Sequence, residues 1–384
     1  PTTTLTLTAA PTSTRTPTVT LTPTSSRTAT RTATHSATPT STNTRWPTPT
    51  PTSPPGTHYY VDSLNGNDLN AGTSPAQAWQ TLNAIHMRKF LPGDTIHLRR
   101  GSRWSGGLTL DDSGVSGAPI TITTYGEGPR PIIMNPSVPD KLTSAIVIYG
   151  KWVVVEGLMA QDCSFAGVFL WYGADRNIVR DIEITKVGIG VMVYSQYNLV
   201  TQCNIYDPRM VRNTPGGTDD FGALGVVLSG SYNEISYNRF VNCIGPSYDW
   251  TYDGGAIELS ANNRTLDGAY IHHNWAEGCE GFIELGGPNG SVRNLTLAYN
   301  VAVNSGRFFG ASLTGGFAVG LSNVRLENNT VYLTQPRIAG KTERIFCFNA
   351  APTAAMLSAR NNIFYAVGSA WGMTTHVGFA HSYN

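Results

Sequence analysis

From residue 166 onward the chain keeps returning to one unit: a Gly-led apolar strand, a polar turn, a strand begun near Asn, and a third strand carrying Asn at a fixed point. The unit repeats in AGVFLWYGADRNIVRDIEITK, GIGVMVYSQYNLVTQCNIYD, GVVLSGSYNEISYNRFVNC, GAIELSANNRTLDGAYIHHNWAEGC, GFIELGGPNGSVRNLTLAYNVAVNS and VRLENNTVYLT. Alignment places Ile182, Cys203, Asn238, Asn274, Asn300, Asn329 and Asn362 at one site, with gaps of 21, 35, 36, 26, 29 and 33 residues. Short strands and turns at that period describe a parallel β-solenoid, in which five consecutive Asn would stack their amides into a hydrogen-bonded ladder. An antiparallel sandwich gives no reason for one residue type to recur at the same point of every unit.

The repeat does not extend to the N-terminus. Residues 1 to 56 are almost wholly Thr, Pro, Ser and Ala with an occasional Arg. Such a tract cannot bury enough apolar surface to offset its ordering entropy, so it reads as a disordered, extended tether, and its composition is also that of O-glycosylated stalks. The expected organisation is therefore a linker over 1–56 and one β-solenoid domain over 57–384. Net charge is +1 and charged residues make up 13% of the chain, which leaves no basic field for nucleic acid or an anionic membrane. No apolar run is long enough to span a bilayer. Five scattered cysteines without a C-x-x-C pair argue against a disulfide scaffold or a zinc site. Cys243 and Cys279 each fall five residues after a ladder Asn, so they should stack on adjacent rungs, as a bridge or as interior thiols. The chain opens at Pro1 without Met or a leader pattern and stops at Asn384 without a cap motif, so a processed or truncated piece is expected.

The segment after the tether supplies a cap. Ser74, Pro75 and Gln77 have the spacing of a capping box, and Trp79, Leu82, Ile85 and Phe90 would lie along one side of the helix that follows. Pro92-Gly93-Asp94 should end it, and a single helix here suits a plug over the open end of the solenoid. The stretches YYVDSLNGNDLNAGTSPAQAWQTLNAI, LPGDTIHLRRGSRW and GAPITITTYGEGPRPII resemble the entry region of secreted right-handed parallel β-helix proteins of the pectate-lyase-like superfamily. That resemblance covers 58–384 and implies an all-β right-handed parallel β-helix acting on polysaccharide, secreted or attached to the cell surface. A monomer with a glycan partner is expected. The superfamily holds lyases, hydrolases, epimerases and proteins without catalysis, so activity must come from the site.

Two long gaps between ladder positions lie side by side and hold YDPRMVRNTPGGTDDFG (206–222) and IGPSYDWTYDGG (244–255). Neighbouring long loops on a rigid scaffold favour binding. Asp219, Asp220, Tyr248, Asp249, Trp250 and Tyr252 are the substrate-binding candidates, since aromatic faces and carboxylates suit sugar rings. On the strands, Glu258 and Glu284 each lie sixteen residues before a ladder Asn. In GAIEL and FIEL, alternation turns the flanking Ile and Leu inward and both Glu outward, onto adjacent rungs about 4.8 Å apart. Like charges that close push one carboxyl toward the protonated form, which matches the acid and nucleophile of a retaining glycosidase. Asp253 could add a third carboxylate, and alternation points Phe282 outward as a stacking platform. Three other readings stay open: solvated surface glutamates, a pair bridged by an arginine such as Arg293, or a pair bridged by Ca²⁺ in a polysaccharide lyase. The Asp-rich calcium cluster of pectate lyases and the motifs of polygalacturonases have no clear counterpart here. The DGGAIEL to FIELGGPNG stretch is similar to retaining xylosidase-like β-helices, whose carboxylates sit on neighbouring rungs. No motif demands a cofactor, calcium being the one ion considered.

Overall fold

The computed structural model describes residues 56–136, 141–334, 344–367 and 378–382. The expected tether over 1–56 lies, apart from Gly56, outside the described residues. From His58 onward the chain is a coil of short strands forming three long parallel sheets of twelve, ten and nine strands among the described residues. Each sheet takes one strand per turn of the coil, so neighbours in a sheet are a full rung apart in sequence, as the repeat requires. The ladder residues fall where the twelve-stranded sheet passes to the ten-stranded one.

The corners explain the repeat. The residue before each ladder position has a left-handed backbone: Asp181, Gln202, Tyr237, His273, Tyr299, Asn328 and Asn361 have φ between 53° and 58°. A non-Gly residue there costs about 1–2 kcal/mol, and the ladder offsets it. The backbone N–H groups of Cys203, Asn238, Asn274, Asn300 and Asn329 each donate to Oδ1 of the Asn one rung on, at 2.9–3.0 Å. The Nδ2 groups of Asn238, Asn274, Asn300 and Asn329 donate along the same line. All five ladder Asn are at most 3% exposed, so each bond is made where water cannot substitute. A second ladder uses the same device at the corner into the twelve-stranded sheet. There Arg176, Tyr197 and Tyr232 are left-handed, and the backbone N–H groups of Asn177 and Asn198 each donate to Oδ1 of the Asn one rung on, Asn198 and Asn233.

The expected capping helix is broken. Pro75–Gln77 is a single 3₁₀ turn, and the only α-helical turn nearby is Asn83–His86. Ser74 makes no side-chain cap bond. Trp79 is the cause: it bridges Val61 in parallel, its N–H donates to Tyr60, and its ring stacks on Tyr59. Joining the edge strand forces Ala78 into an extended conformation and ends the helix before it can propagate. The capping role survives, because Trp79, Leu82, Ile85 and Phe90 are buried in the same apolar cluster as Val61, Ile96 and Leu98 of the first rungs. Pro92-Gly93-Asp94 leads into the strand Thr95–Arg99 as expected.

All five cysteines are free, Cys243 and Cys279 among them. On adjacent rungs the two thiols point to the carbonyls of Val241 and Glu277, and burial raises Cys243 well above its ordinary range. They take the interior-thiol alternative. No helix among the described residues is long and apolar enough to cross a membrane.

Candidate functional site

The site lies on the outer face of the nine-stranded sheet. Its strands Gly255–Ser260 and Gly281–Gly286 pair in parallel with Glu258 opposite Glu284. Ile257, Leu259, Ile283 and Leu285 are at most 2% exposed and belong to the core, which leaves the two glutamates facing out between them. The alternation that gave this placement fails at Phe282, which is fully buried and stacks on Phe308 at 5.2 Å. Phe282 is therefore not a sugar platform. In each of these strands two consecutive residues face the core: Ala256 with Ile257, Phe282 with Ile283, Phe308 with Phe309. The strand bends there and skips one step of its pleat, so parity counted from Glu284 inverts beyond Ile283.

Arg307 organises the carboxylates. It begins the next strand, opposite Gly281, and its guanidinium lies 2.9 Å from Glu284 and 2.6 Å from Glu280. The arginine lies along the sheet because both flanking positions are glycine. A Cβ at Gly281 would meet its Cγ at 2.9 Å, and one at Gly310 its Cδ at 3.1 Å. Burial works against the guanidinium charge, but Glu284 and Glu280 outweigh it and raise Arg307 above its ordinary value. Its Nε is a buried donor without an acceptor among the described residues. The arginine considered from sequence, Arg293, instead pairs with Asp267 at 3.0 Å.

Glu258 has no such partner. Burial first, then the charges of Glu284 and Asp253, push its carboxyl up to about 8, against a hydrogen bond from Ser260. Its Oε1 faces Gly286, where an added Cβ would stand 4.0 Å away, so the space beside it is open. Asp253 stands at the mouth of the same strand. Burial, opposed by the Gly254 N–H, and then Glu284, opposed by Arg307, bring it up to about 6, with Asp220 adding a little. Gly254, at φ 122°, makes the turn that lets Asp253 look back over the sheet.

The two long loops form antiparallel hairpins, Met210–Arg212 with Phe221–Gly222 and Gly245–Ser247 with Thr251–Asp253. They stand together, and Asp220 is the clamp. It accepts from the N–H groups of Thr214, Tyr248 and Asp249 and from the Ser247 hydroxyl, and its own N–H donates to Asp249. Burial would raise Asp220, but these donors hold it below the usual carboxylate range. Asp219 is exposed and pairs with Arg212 at 3.1 Å across its own hairpin. Asp220, Asp249 and Asp219 thus have partners that shape the loops. Tyr248 and Trp250 are 63% and 68% exposed at the tip of the second hairpin, and Tyr252 is half-buried in it opposite Pro246. His272 and His273 lie on the twelve-stranded sheet and its corner, His272 bonded to Glu234 and His273 stacked between Tyr237 and Tyr299. A concavity of about 550 Å³ at the capped end, beside Trp79 and Arg88, holds one carboxylate, Asp68. Asp68 is taken up by Gln80 and Thr81, so this concavity offers no pair. Among the described residues no three His, Cys, Asp or Glu side chains form a group that could hold a metal ion.

Sequence reasoning missed Arg307, Glu280 and an aromatic row on the same sheet. FLWYG and VMVYS, inside the quoted repeats, carried the signal for the row. For Arg307 the signal was its spacing of 26 residues from Gly281, the local rung length.

No family model matches the chain. Over an alignment of 231 residues that covers 56% of the chain, it is 33% identical to a lacto-N-biosidase of Bifidobacterium longum subsp. longum, of whose length it spans 12%. Among solved structures it is similar to an alginate lyase from Paenibacillus sp. strain FPU-7, at 19% identity and a TM-score of 0.55, covering 76% of this chain and 94% of that one. It is also similar to the pectate lyase Pel9A, at 17% identity and a TM-score of 0.51, covering 80% of each chain. Their shared architecture and the parallel one-strand-per-rung sheets agree: this chain is a right-handed parallel β-helix of the pectate-lyase-like fold.

Proposed function

We propose that the chain hydrolyses glycosidic bonds in a glycan with retention of configuration, Glu258 serving as general acid and Glu284 as nucleophile. One observation carries this reading: two carboxyls face each other in identical register on adjacent strands, Glu284 ion-paired to Arg307 and Glu258 without a cation and raised by burial. Glu258, held at about 8, carries a proton at neutral pH and can give it to the leaving oxygen. Glu284, ion-paired to Arg307 with its side chain 36% exposed, can approach the anomeric carbon. Its carboxylate forms the new C–O bond as the leaving group takes the Glu258 proton. Water then attacks the glycosyl-enzyme, giving its proton to Glu258 and releasing Glu284. A strand spacing of about 4.8 Å suits the roughly 5–5.5 Å carboxyl separation of retaining enzymes. Arg307 positions Glu284, and the hairpins clamped by Asp220 carry Tyr248, Trp250 and Tyr252 at the margin of the site.

The lacto-N-biosidase relative supports a hydrolase. The Thr/Pro-rich tract and a surface rich in hydroxyls and amides support work outside the cell or at its surface, on a glycan partner. Product analysis tests the reading. Hydrolysis gives new reducing ends of the substrate's own anomeric configuration, seen by NMR before mutarotation. An unsaturated product absorbing in the ultraviolet, with turnover lost in EDTA, would replace this reading with a calcium-dependent lyase. Binding without turnover across a broad glycan panel would leave a surface adhesin.

A further inference from the structure

Resting on that reading, we infer that the site serves an extended glycan, whose distal units stack on an aromatic row running away from the glutamates along the same sheet. Two positions beyond each outward residue of the Glu258 row, successive strands place Tyr149, Trp171, Tyr194, Ser229, Ser260 and Gly286 side by side. The row therefore changes character along the sheet. It is aromatic on the early rungs, then turns to small residues where it passes the carboxyl pair.

Tyr149 and Trp171 are 5.6 Å apart between ring centroids, and Trp171 and Tyr194 are 6.2 Å apart. Tyr172 adds a fourth ring stacked on Tyr194 at 4.5 Å. The rings are firmly seated. Phe169 lies beneath them, 4.6 Å from Trp171 and 5.2 Å from Tyr194, within an apolar cluster on the outer face that also holds Met192 and Val227. Yet Tyr149, Trp171 and Tyr172 remain 42%, 36% and 48% exposed. Contiguous exposed rings on a rigid base mark an interaction surface rather than a core.

Two features tie the row to the site and identify the occupant. Arg264, from the turn that follows the Glu258 strand, reaches back to place its guanidinium 5.0 Å over the Tyr172 ring and to donate to the Tyr172 hydroxyl at 3.3 Å. Platform and site thus share a wall. The charge of Glu258 also reaches Tyr194, whose hydroxyl is raised first by burial. The surface offers flat apolar rings with hydroxyl tips, the match for sugar rings with apolar C–H faces and peripheral hydroxyls. From Glu258 to the strands bearing Tyr194, Trp171 and Tyr149 is two, three and four strands, or roughly 10, 14 and 19 Å at the spacing of a sheet. A disaccharide held at the glutamates cannot reach Trp171, whereas a chain of several units can.

The test is affinity as a function of chain length, measured by calorimetry on Glu258→Gln so that ligand is not consumed. Ladders from disaccharide to octasaccharide derived from xylan, chitin and β-galactan are the probes. At least one ladder should bind more tightly with length. Trp171→Ala in that background should cut the long-chain gain by about tenfold, the order expected for one stacked ring. Trp171→Phe should restore most of it. Tyr149→Ala, at a more exposed ring, serves if Trp171→Ala unfolds. Affinity that does not rise with length on any ladder, or a rise that survives both alanine variants, overturns the platform. That outcome leaves the hydrolase reading intact if wild-type protein still cleaves short substrates. Conversely, ring-dependent binding of long chains without turnover by wild type retains the platform and removes the hydrolase.

Discussion

Replacing Glu258 with Gln should stabilise the protein at alkaline pH and leave its stability nearly unchanged in mild acid. In the folded chain the Glu258 carboxyl is held at about 8, against 4.5 for a free glutamate. A carboxyl raised on folding contributes fully below its unfolded value, and that contribution is lost as pH rises through the folded value. Each unit of the gap is worth about 1.4 kcal/mol, which bounds the full loss at about 5 kcal/mol. Partial contact with water reduces this to about 3 kcal/mol. Gln copies the shape of the protonated acid and cannot ionise. Urea unfolding of both proteins at pH 5, 7 and 9 measures the difference. The two should agree within about 1 kcal/mol at pH 5, and the variant should lead by about 3 kcal/mol at pH 9. The same carboxyl predicts an alkaline limb near 8 in the pH profile of hydrolysis, where the acid loses its proton. A stability difference that does not change between pH 5 and pH 9 would refute the claim that Glu258 is half-buried beside like charges without a cation partner.

Other consequences concern the frame. Phe282→Ala should cost about 3–5 kcal/mol by leaving a cavity, since that ring is fully buried against Phe308, and a melting curve reads it. Asn274→Ala should cost about 3 kcal/mol, because it strips the Asn238 N–H and Nδ2 of their acceptor and removes the amide bond to the Ile235 carbonyl, all out of reach of water. Asn274→Asp should cost at least as much, since it keeps the acceptor but loses the donor and buries a charge. Thiol counting on denatured, unreduced protein should give five, because Cys243 and Cys279 meet as thiols. A count of three would mean they are bridged.

The sequence carried the coil and its register because both rest on a residue whose chemistry works only when stacked. An Asn at one point of each rung has its amide bonded to the rungs beside it, so the recurrence of Asn238, Asn274, Asn300, Asn329 and Asn362 marked the corner directly. Glu258 and Glu284 followed by counting from that corner. Phe282 was misplaced because two-residue alternation assumes an unbroken pleat, and this strand bends one residue before Ile283. The capping box at Ser74 was read from local preference, which lost to the pairing of Trp79 with the first strand. The spacing of Arg307 from Gly281 places it on the next rung, but its reach to Glu284 depends on two glycines, Gly281 and Gly310, that belong to different rungs. The protein donors to Asp219, Asp220 and Asp249 are ones that only the folded hairpins bring to them, so the part these acids play in shaping the loops does not show in the sequence.

The most direct test of the central claim is chemical rescue of two alanine variants on one cleaved glycan. If Glu284 is the nucleophile, Glu284→Ala loses turnover and regains it in azide, with a glycosyl azide of inverted configuration as product. Glu258→Ala should not be rescued on an intact substrate, because a small anion cannot protonate a poor leaving group. Its activity should return only on substrates whose leaving group needs no proton. Near-normal turnover by both variants without azide would contradict the account and send the search for the reacting groups to Asp253 and the loop carboxylates.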